Sequence, residues 1–272
     1  MEFSYNPTKV FSEINKICCI YSYYEKDDSY KGNLLFFLEN GILDDVDYYI
    51  IINGSTRLNL SIYEKKENII FIQRENKGYD FGAYCYVLNI INKTYDYYFF
   101  MNTSVKGPYL KNNEDKWTNL FIDLFYDDKV KIVGTSINIW HYNNIYGLPI
   151  CLPIYGNKPV YSHVQSMFFC LKHDYLMFLM ENGFFNYEET CRLVKNEIIN
   201  RKEIGLSQIA LNNGWNINSI LPRYKGLNYI EVNYDINNTS RDGDPYFKGC
   251  YFSGSIDKYD AVFYKNNRGM DD

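Results

Sequence analysis

Two polar loops carry the groups in this sequence best suited to chemistry. The first is Arg74-Glu-Asn-Lys-Gly-Tyr-Asp-Phe-Gly-Ala83; the second, about twenty residues on, is Met101-Asn-Thr-Ser-Val-Lys-Gly-Pro108. Each follows a hydrophobic, strand-like run. Both are therefore expected at the carboxyl ends of neighbouring parallel strands, where an α/β sheet builds its ligand site. They offer glycines, amides, the Ser104 hydroxyl and one acidic group, Asp80, a set that suits a sugar-bearing substrate. Asn76 and Gly78 allow close approach of backbone to ligand. Asp80 can accept hydrogen bonds from sugar or ribose hydroxyls, or cap the helix expected over residues 82–91 from just outside it. Asn102 and Ser104 face the same crevice if the two strands are adjacent. Ser104 has no local His-Asp partner, which weighs against a serine nucleophile.

The elements that must position these groups read as an α/β sheet. Unalternating apolar runs at 17–24, 48–52, 69–73 and 97–101 fit parallel strands covered on both faces. Helical patterns fall between them, with one ending near Gly41. Further strands are expected at 130–134, 165–170 and 216–221, and helices at 117–125, 175–182, 190–201 and 205–212. Residues 138–162 read as a loop-rich acceptor side. Residues 1–234 are expected to form one domain, with 235–272 as an extension packed on it.

Composition narrows the class. The chain has 272 residues, 22% of them charged, and a net charge of -5. That is a folded composition with room for a core. No Lys/Arg block stands out, which argues against a nucleic-acid partner. The 29 tyrosines suit the boundary of a core, where a ring is buried and a hydroxyl stays satisfied. Seven cysteines, Cys18, Cys19, Cys85, Cys151, Cys170, Cys191 and Cys250, form no C-x-x-C pair. Buried free thiols in a reducing compartment are expected. The first sixteen residues lack a signal-peptide core, and no apolar run reaches spanning length. A cytoplasmic protein without a transmembrane segment is expected, peripheral to a membrane only through partners. Its oligomeric state is open.

Several stretches in order carry a resemblance: Asn33-Leu-Leu-Phe-Phe-Leu38, Ile52-Asn-Gly54, Glu75-Asn-Lys-Gly-Tyr-Asp-Phe-Gly82, Asn102-Thr-Ser104 and His163-Val-Gln-Ser-Met-Phe-Phe169. Together they resemble the rhamnan synthesis F-like family over nearly the whole chain. More distantly the layout is similar to inverting GT-A transferases of family 2. The resemblance implies a GT-A-like (Rossmann-like), mostly parallel sheet flanked by helices. It implies transfer of a sugar from a UDP, GDP or dTDP sugar donor to a glycan, lipid-linked or protein-linked acceptor, with inversion. A retaining transferase and a non-catalytic sugar- or nucleotide-sugar-binding module are the alternatives. Where the wider class carries Asp-x-Asp, this chain has Asn102-Thr-Ser104. Asn102 and Ser104 are weak ligands for a hard cation such as Mg²⁺ or Mn²⁺ and bring no charge. Asp244, in the loop Asp242-Gly-Asp244, is a weaker metal candidate.

The resemblance puts Glu203, in Lys202-Glu-Ile-Gly-Leu-Ser207, at the position of the catalytic base; the bland reading is a surface Glu at a helix start. Tyr21 or Tyr23 can stack on the base or pack in the core. These two share one face of a strand, and Ser22 and Tyr24 the other. Asn53 can contact the nucleoside or close an ordinary Asn-Gly turn. His163 and Gln165 can orient hydroxyls, with His163 equally a structural histidine. Lys106, Lys265 and Arg268 are the cations to weigh against the diphosphate leaving group. A hydrolase is disfavoured, because no pair of carboxylates can be set across one cleft from sequence.

Overall fold

The computed structural model describes residues 15–112, 115–141 and 154–265. A seven-stranded sheet forms its centre, in the order β10 (Asn216–Ser219), β6 (Val130–Gly134), β9 (Phe168–Lys172), β4 (Tyr97–Asn102), β1 (Ile17–Tyr23), β2 (Val46–Asn53), β3 (Ile69–Arg74). Four parallel neighbours make one half: β1 (Ile17–Tyr23), β2 (Val46–Asn53), β3 (Ile69–Arg74) and β4 (Tyr97–Asn102). The chain runs outward from β1 to β2 to β3, then returns to lay β4 on the other side of β1. That reversal makes a crevice at the carboxyl ends of β1 and β4. Ser22 of β1 and Asn102 of β4 are register partners at that edge.

The far half is mixed. β9 (Phe168–Lys172) runs antiparallel between β4 and β6 (Val130–Gly134), and β10 (Asn216–Ser219) pairs parallel with β6. The strand expected at 165–170 thus begins three residues later. Val164 and Met167 pack beside it, and an apolar run alone does not reveal strand direction or start. Within the loop-rich 138–162 stretch, the described residues include an antiparallel pair, β7 (Ile137–His141) and β8 (Val160–Val164). The rest of that stretch lies partly outside the described residues.

Helices cover both faces, giving an α/β fold with a mixed sheet. β1 is buried along its whole length, as its unbroken apolar sequence requires. Helix α1 (Asp28–Asn40) is capped by the Asp27 side chain, which accepts from the Tyr30 amide, and ends at Gly41. Helix α2 (Tyr79–Leu88) starts three residues earlier than the apolar pattern suggests, with Gly78 at its N-cap in the left-handed region (φ 71°). Asp80 therefore lies in the first helical turn and caps nothing. Gly82 follows from packing: a Cβ there would stand 2.2 Å from the Lys77 carbonyl oxygen. α3 (Trp117–Ile122) and α4 (His173–Glu181) complete the layers.

The single helix expected at 190–201 is instead three pieces: α5 (Tyr187–Thr190), α6 (Lys195–Glu197) and a π-helical stretch, Ile198–Ile204, running into α7 (Gly205–Asn212). Such wide turns are rare and occur often at functional sites.

The tail returns to the sheet edge. After α8 (Lys258–Ala261), Phe263 is buried and stacks on Phe168 at 4.2 Å between centroids, with Trp117 at 5.2 Å. Removing such a ring costs about 3–5 kcal/mol, so the anchor is strong. It leads into β11 (Tyr264–Lys265), which pairs antiparallel with β5 (Val105–Lys106). Six free cysteines are described, and burial raises the thiol pKa of Cys18, Cys19 and Cys170.

Candidate active site

A cleft of about 380 Å³ opens at the β1/β4 crevice. Its walls come from six places in the chain: Tyr24 after β1, Tyr30 of α1, Tyr79 to Phe81 of α2, Asn102 at the end of β4 with Thr103 and Ser104 beyond it, Gln165 to Met167 before β9, and Lys195, Ile198, Ile199 and Glu203 of the α6–π segment. Lys265 of β11 closes the ring.

A row of polar side chains runs along the sheet edge into this cleft. Arg74, buried at the end of β3, donates to the Asn53 side-chain oxygen and to the Lys77 carbonyl (2.6 Å). The Tyr86 and Tyr187 rings flank its guanidinium at 5.9 and 5.6 Å. Asn53 donates to Ser22 Oγ and to the Tyr23 carbonyl, both at 3.0 Å. Ser22 Oγ reaches Asp80 Oδ1 at 3.4 Å, and Asn102 Nδ2 donates to Asp80 Oδ2 at 2.7 Å. Asn102 Oδ1 then accepts from the Ser104 amide (2.9 Å) and hydroxyl (2.6 Å). Each member fixes the rotamer of the next, so the Asp80 carboxyl is held in one orientation.

Glu203 enters from the other wall, its Oε1 accepting the Ser166 amide at 3.0 Å. The two carboxylates feel one another. Burial, reinforced by Glu203, pushes the Asp80 carboxyl up to about 6, against the pull of Asn102, Lys265 and Ser22. A carboxyl poised there can hold or release a proton near neutrality. The cleft thus contains the carboxylate pair that could not be set across one cavity from sequence.

The expected residues divide in place. Asp80, Asn102, Ser104, Gln165, Glu203 and Lys265 line the cleft. Gln165 is fixed by Ser136, whose hydroxyl donates to Gln165 Oε1. Tyr21 does not reach it: the ring is fully buried on the α1 side, 5.3 Å from Phe37. Tyr23, on the same strand face, gives its hydroxyl to Glu25 (3.0 Å). Strand alternation gives the crevice to Ser22 and Tyr24 instead. Asn53 is buried and occupied within the polar row. Asn76 is exposed outside the cleft, and Gly78 packs against Cys191 rather than opening a ligand path. His163 is buried on β8, its Nδ1 3.0 Å from the Tyr161 carbonyl, and burial lowers its pKa while Glu203 and Asp244 oppose that. It does not line the cleft. Lys106 rests over the Phe36 ring at 5.2 Å. Arg268 lies outside the described residues.

Of the metal candidates, Asn102 and Ser104 meet in the cleft and Asp244 does not join them. The side-chain oxygen of Asn102 already accepts two hydrogen bonds from Ser104, and Asp244 is buried away from the cleft, accepting the Tyr246 amide at 2.9 Å. Among the described residues no group of three His, Cys, Asp or Glu side chains could hold a metal ion. The donor set does not fit a preorganised divalent cation.

Tyr24, Tyr30, Tyr79, Ser166 and Lys195 of the lining were not anticipated. Tyr24 had a signal in its alternation with Tyr21 and Tyr23, Tyr79 in its place within the first polar loop and Ser166 in the His163–Phe169 stretch; Tyr30 and Lys195 depend on tertiary convergence. Tyr79 stands at φ 55° and is about half exposed, a strained backbone for a bulky residue beside the reactive groups.

No protein-family model matches the chain, and no curated protein does. Among solved structures the chain is similar to the mannosyltransferase PcManGT from Pyrobaculum calidifontis in complex with GDP-Man and Mn²⁺, at 12% identity over 62% of this chain, with TM-score 0.41. It is also similar to S. aureus TarS residues 1–349, at 14% identity over 72% of this chain, TM-score 0.41. A third is the bifunctional glycosyltransferase WbbM in its apo form, at 13% identity over 78% of this chain, TM-score 0.38. The matches cover 47%, 56% and 39% of those chains, so this chain spans roughly half their length. Among the described residues no helix is long and apolar enough to cross a membrane.

Proposed function

We propose that the protein is a GT-A-like glycosyltransferase that moves a sugar from a nucleotide-sugar donor to a glycan or glycoconjugate hydroxyl with inversion. The observation that carries this reading is the facing of Asp80 and Glu203 in one cleft at the strand-order reversal, with Asp80 oriented by Asn102 and Ser22. The rhamnan synthesis F-like resemblance of the sequence points the same way. Residues 1–234 form the transferase unit in this reading, and 235–272 an extension that completes its cleft.

Inversion needs one base, set to take the acceptor proton as the oxygen attacks the anomeric carbon. Glu203 takes that role. The Ser166 amide fixes one of its oxygens, leaving the other to reach the acceptor hydroxyl. Asp80 holds donor hydroxyls, and Tyr24 and Tyr79 at the mouth offer faces for a nucleobase or pyranose ring. Gln165 and Ser104 supply orienting hydrogen bonds.

Release of nucleoside diphosphate from a panel of UDP, GDP and dTDP sugars, with glycan acceptors present, tests this reading. Release that depends on Glu203 supports it. Absence of both release and binding across the panel refutes it. The paired carboxylates also admit hydrolysis of the donor, and release that ignores the acceptor would identify that reaction.

A further inference from the structure

We infer that the cleft binds its nucleoside diphosphate without a divalent metal, through the ammonium groups of Lys265 and Lys195. The inference rests on the nucleotide-sugar reading above and goes beyond it by naming what meets the leaving-group charge. Three observations carry it.

First, the positions that would ligate a metal are taken. Asn102 is bonded to Asp80 through its amide and to Ser104 through its oxygen. Asp80 is itself bonded to Asn102 and Ser22, one contact on each carboxyl oxygen. A hard divalent cation prefers charged carboxylate oxygens, and position 102 supplies an amide whose oxygen is already engaged.

Second, two cations line the same cleft from separate elements. Lys195 is exposed on α6. Lys265 is half-buried on β11, close enough to Asp80 to lower its pKa.

Third, Lys265 is placed by rigid structure. Phe263, two residues before it, stacks on Phe168 and meets the Trp117 ring edge-on, and Lys265 pairs in register with Val105, next to Ser104. The tail therefore delivers a fixed charge to the cleft. A fixed cation stabilises developing phosphate charge much as a metal does, with no reorganisation at the moment of bond breaking.

The test is calorimetric titration of the full chain with UDP, GDP and dTDP, in EDTA and again in Mn²⁺. At least one nucleotide is expected to bind with the same affinity, within about twofold, in both buffers. Lys265→Ala and Lys195→Ala are each expected to weaken it about 10- to 100-fold, the range for a charge-assisted contact, while Lys106→Ala leaves it unchanged. Lys265→Arg should restore most of the loss, and the melting temperature of each variant reports whether it is folded. Binding that requires Mn²⁺ overturns the inference and leaves the transferase reading standing. Wild-type affinity in both folded alanine variants also overturns it. No binding in either buffer overturns both.

Discussion

The Asn102 side-chain amide donates to Asp80 Oδ2 at 2.7 Å, joining the tip of β4 to the first turn of α2. That contact brings the two polar loops into one site. It also accounts for the amide at a position where an acidic residue would have repelled Asp80. A carboxylate at 102 would set a third negative charge beside Asp80 and Glu203.

Asp80→Asn should weaken nucleotide-sugar binding about 10- to 100-fold and stabilise the fold at neutral pH. The sign follows from its raised pKa. The folded state holds the proton more tightly than the unfolded chain, whose value is about 3.9. The penalty is absent below pH ~4, grows as pH rises through the interval, and is fully present above about 6. After discounting for solvent screening it amounts to about 1–2 kcal/mol, a rise of about 2–6 °C in melting temperature for the variant. Melting curves at pH 4 and pH 8 check this. The gain should appear at pH 8 and vanish at pH 4.

Glu203→Gln should keep donor affinity within about threefold and lower turnover about 10²- to 10⁴-fold, the range for loss of a positioned base. The Gln side chain can still accept the Ser166 amide, so the local fold is kept. Single-turnover rates beside donor titrations separate the two effects. Turnover within about twofold of the wild type removes Glu203 from the base role.

Arg74→Met should lower stability by about 2–4 kcal/mol. It leaves the Asn53 oxygen and the Lys77 carbonyl without their donor. Lysine should rescue little, since one ammonium cannot reproduce the planar fork between the two flanking tyrosines. Thermal melts of both variants decide the point. An Arg74→Lys protein as stable as the wild type would show that the fork is unnecessary.

Gly82→Ala should cost about 1–3 kcal/mol, because its Cβ would meet the Lys77 carbonyl oxygen, a backbone atom that also anchors Arg74. Gly54→Ala is the contrast. A Cβ there meets nothing, and only the positive φ of 90° opposes it. Denaturant midpoints for the pair compare the cost of contact at Gly82 with the cost of backbone strain at Gly54.

The sheet was legible because parallel strands buried on both faces are written as unbroken apolar runs, as at 48–52 and 97–101. The antiparallel direction of β9 was not, because Phe168–Lys172 has the same apolar content whichever way it runs. Asp80, Asn102 and Ser104 could be read from loops that follow strands. Alternation along β1 separates Tyr21 and Tyr23 from Ser22 and Tyr24 without saying which face is the crevice. Gly78 and Asn53 show a second difficulty. Residues that look like ligand contacts were needed by the fold, one for a left-handed N-cap and one for a buried polar row. Lys195 had no sequence signal, since only the broken helix at 187–204 brings it to the cleft.

The pairing of Asp80 and Glu203 in one nucleotide-sugar site is tested most directly by donor turnover in the two single variants. Wild-type protein is expected to release nucleoside diphosphate from at least one UDP, GDP or dTDP sugar. Asp80→Asn should raise the donor KM, and Glu203→Gln should lower kcat with KM little changed. Equal activity of all three proteins, or no nucleotide-sugar binding by the wild type, would contradict it.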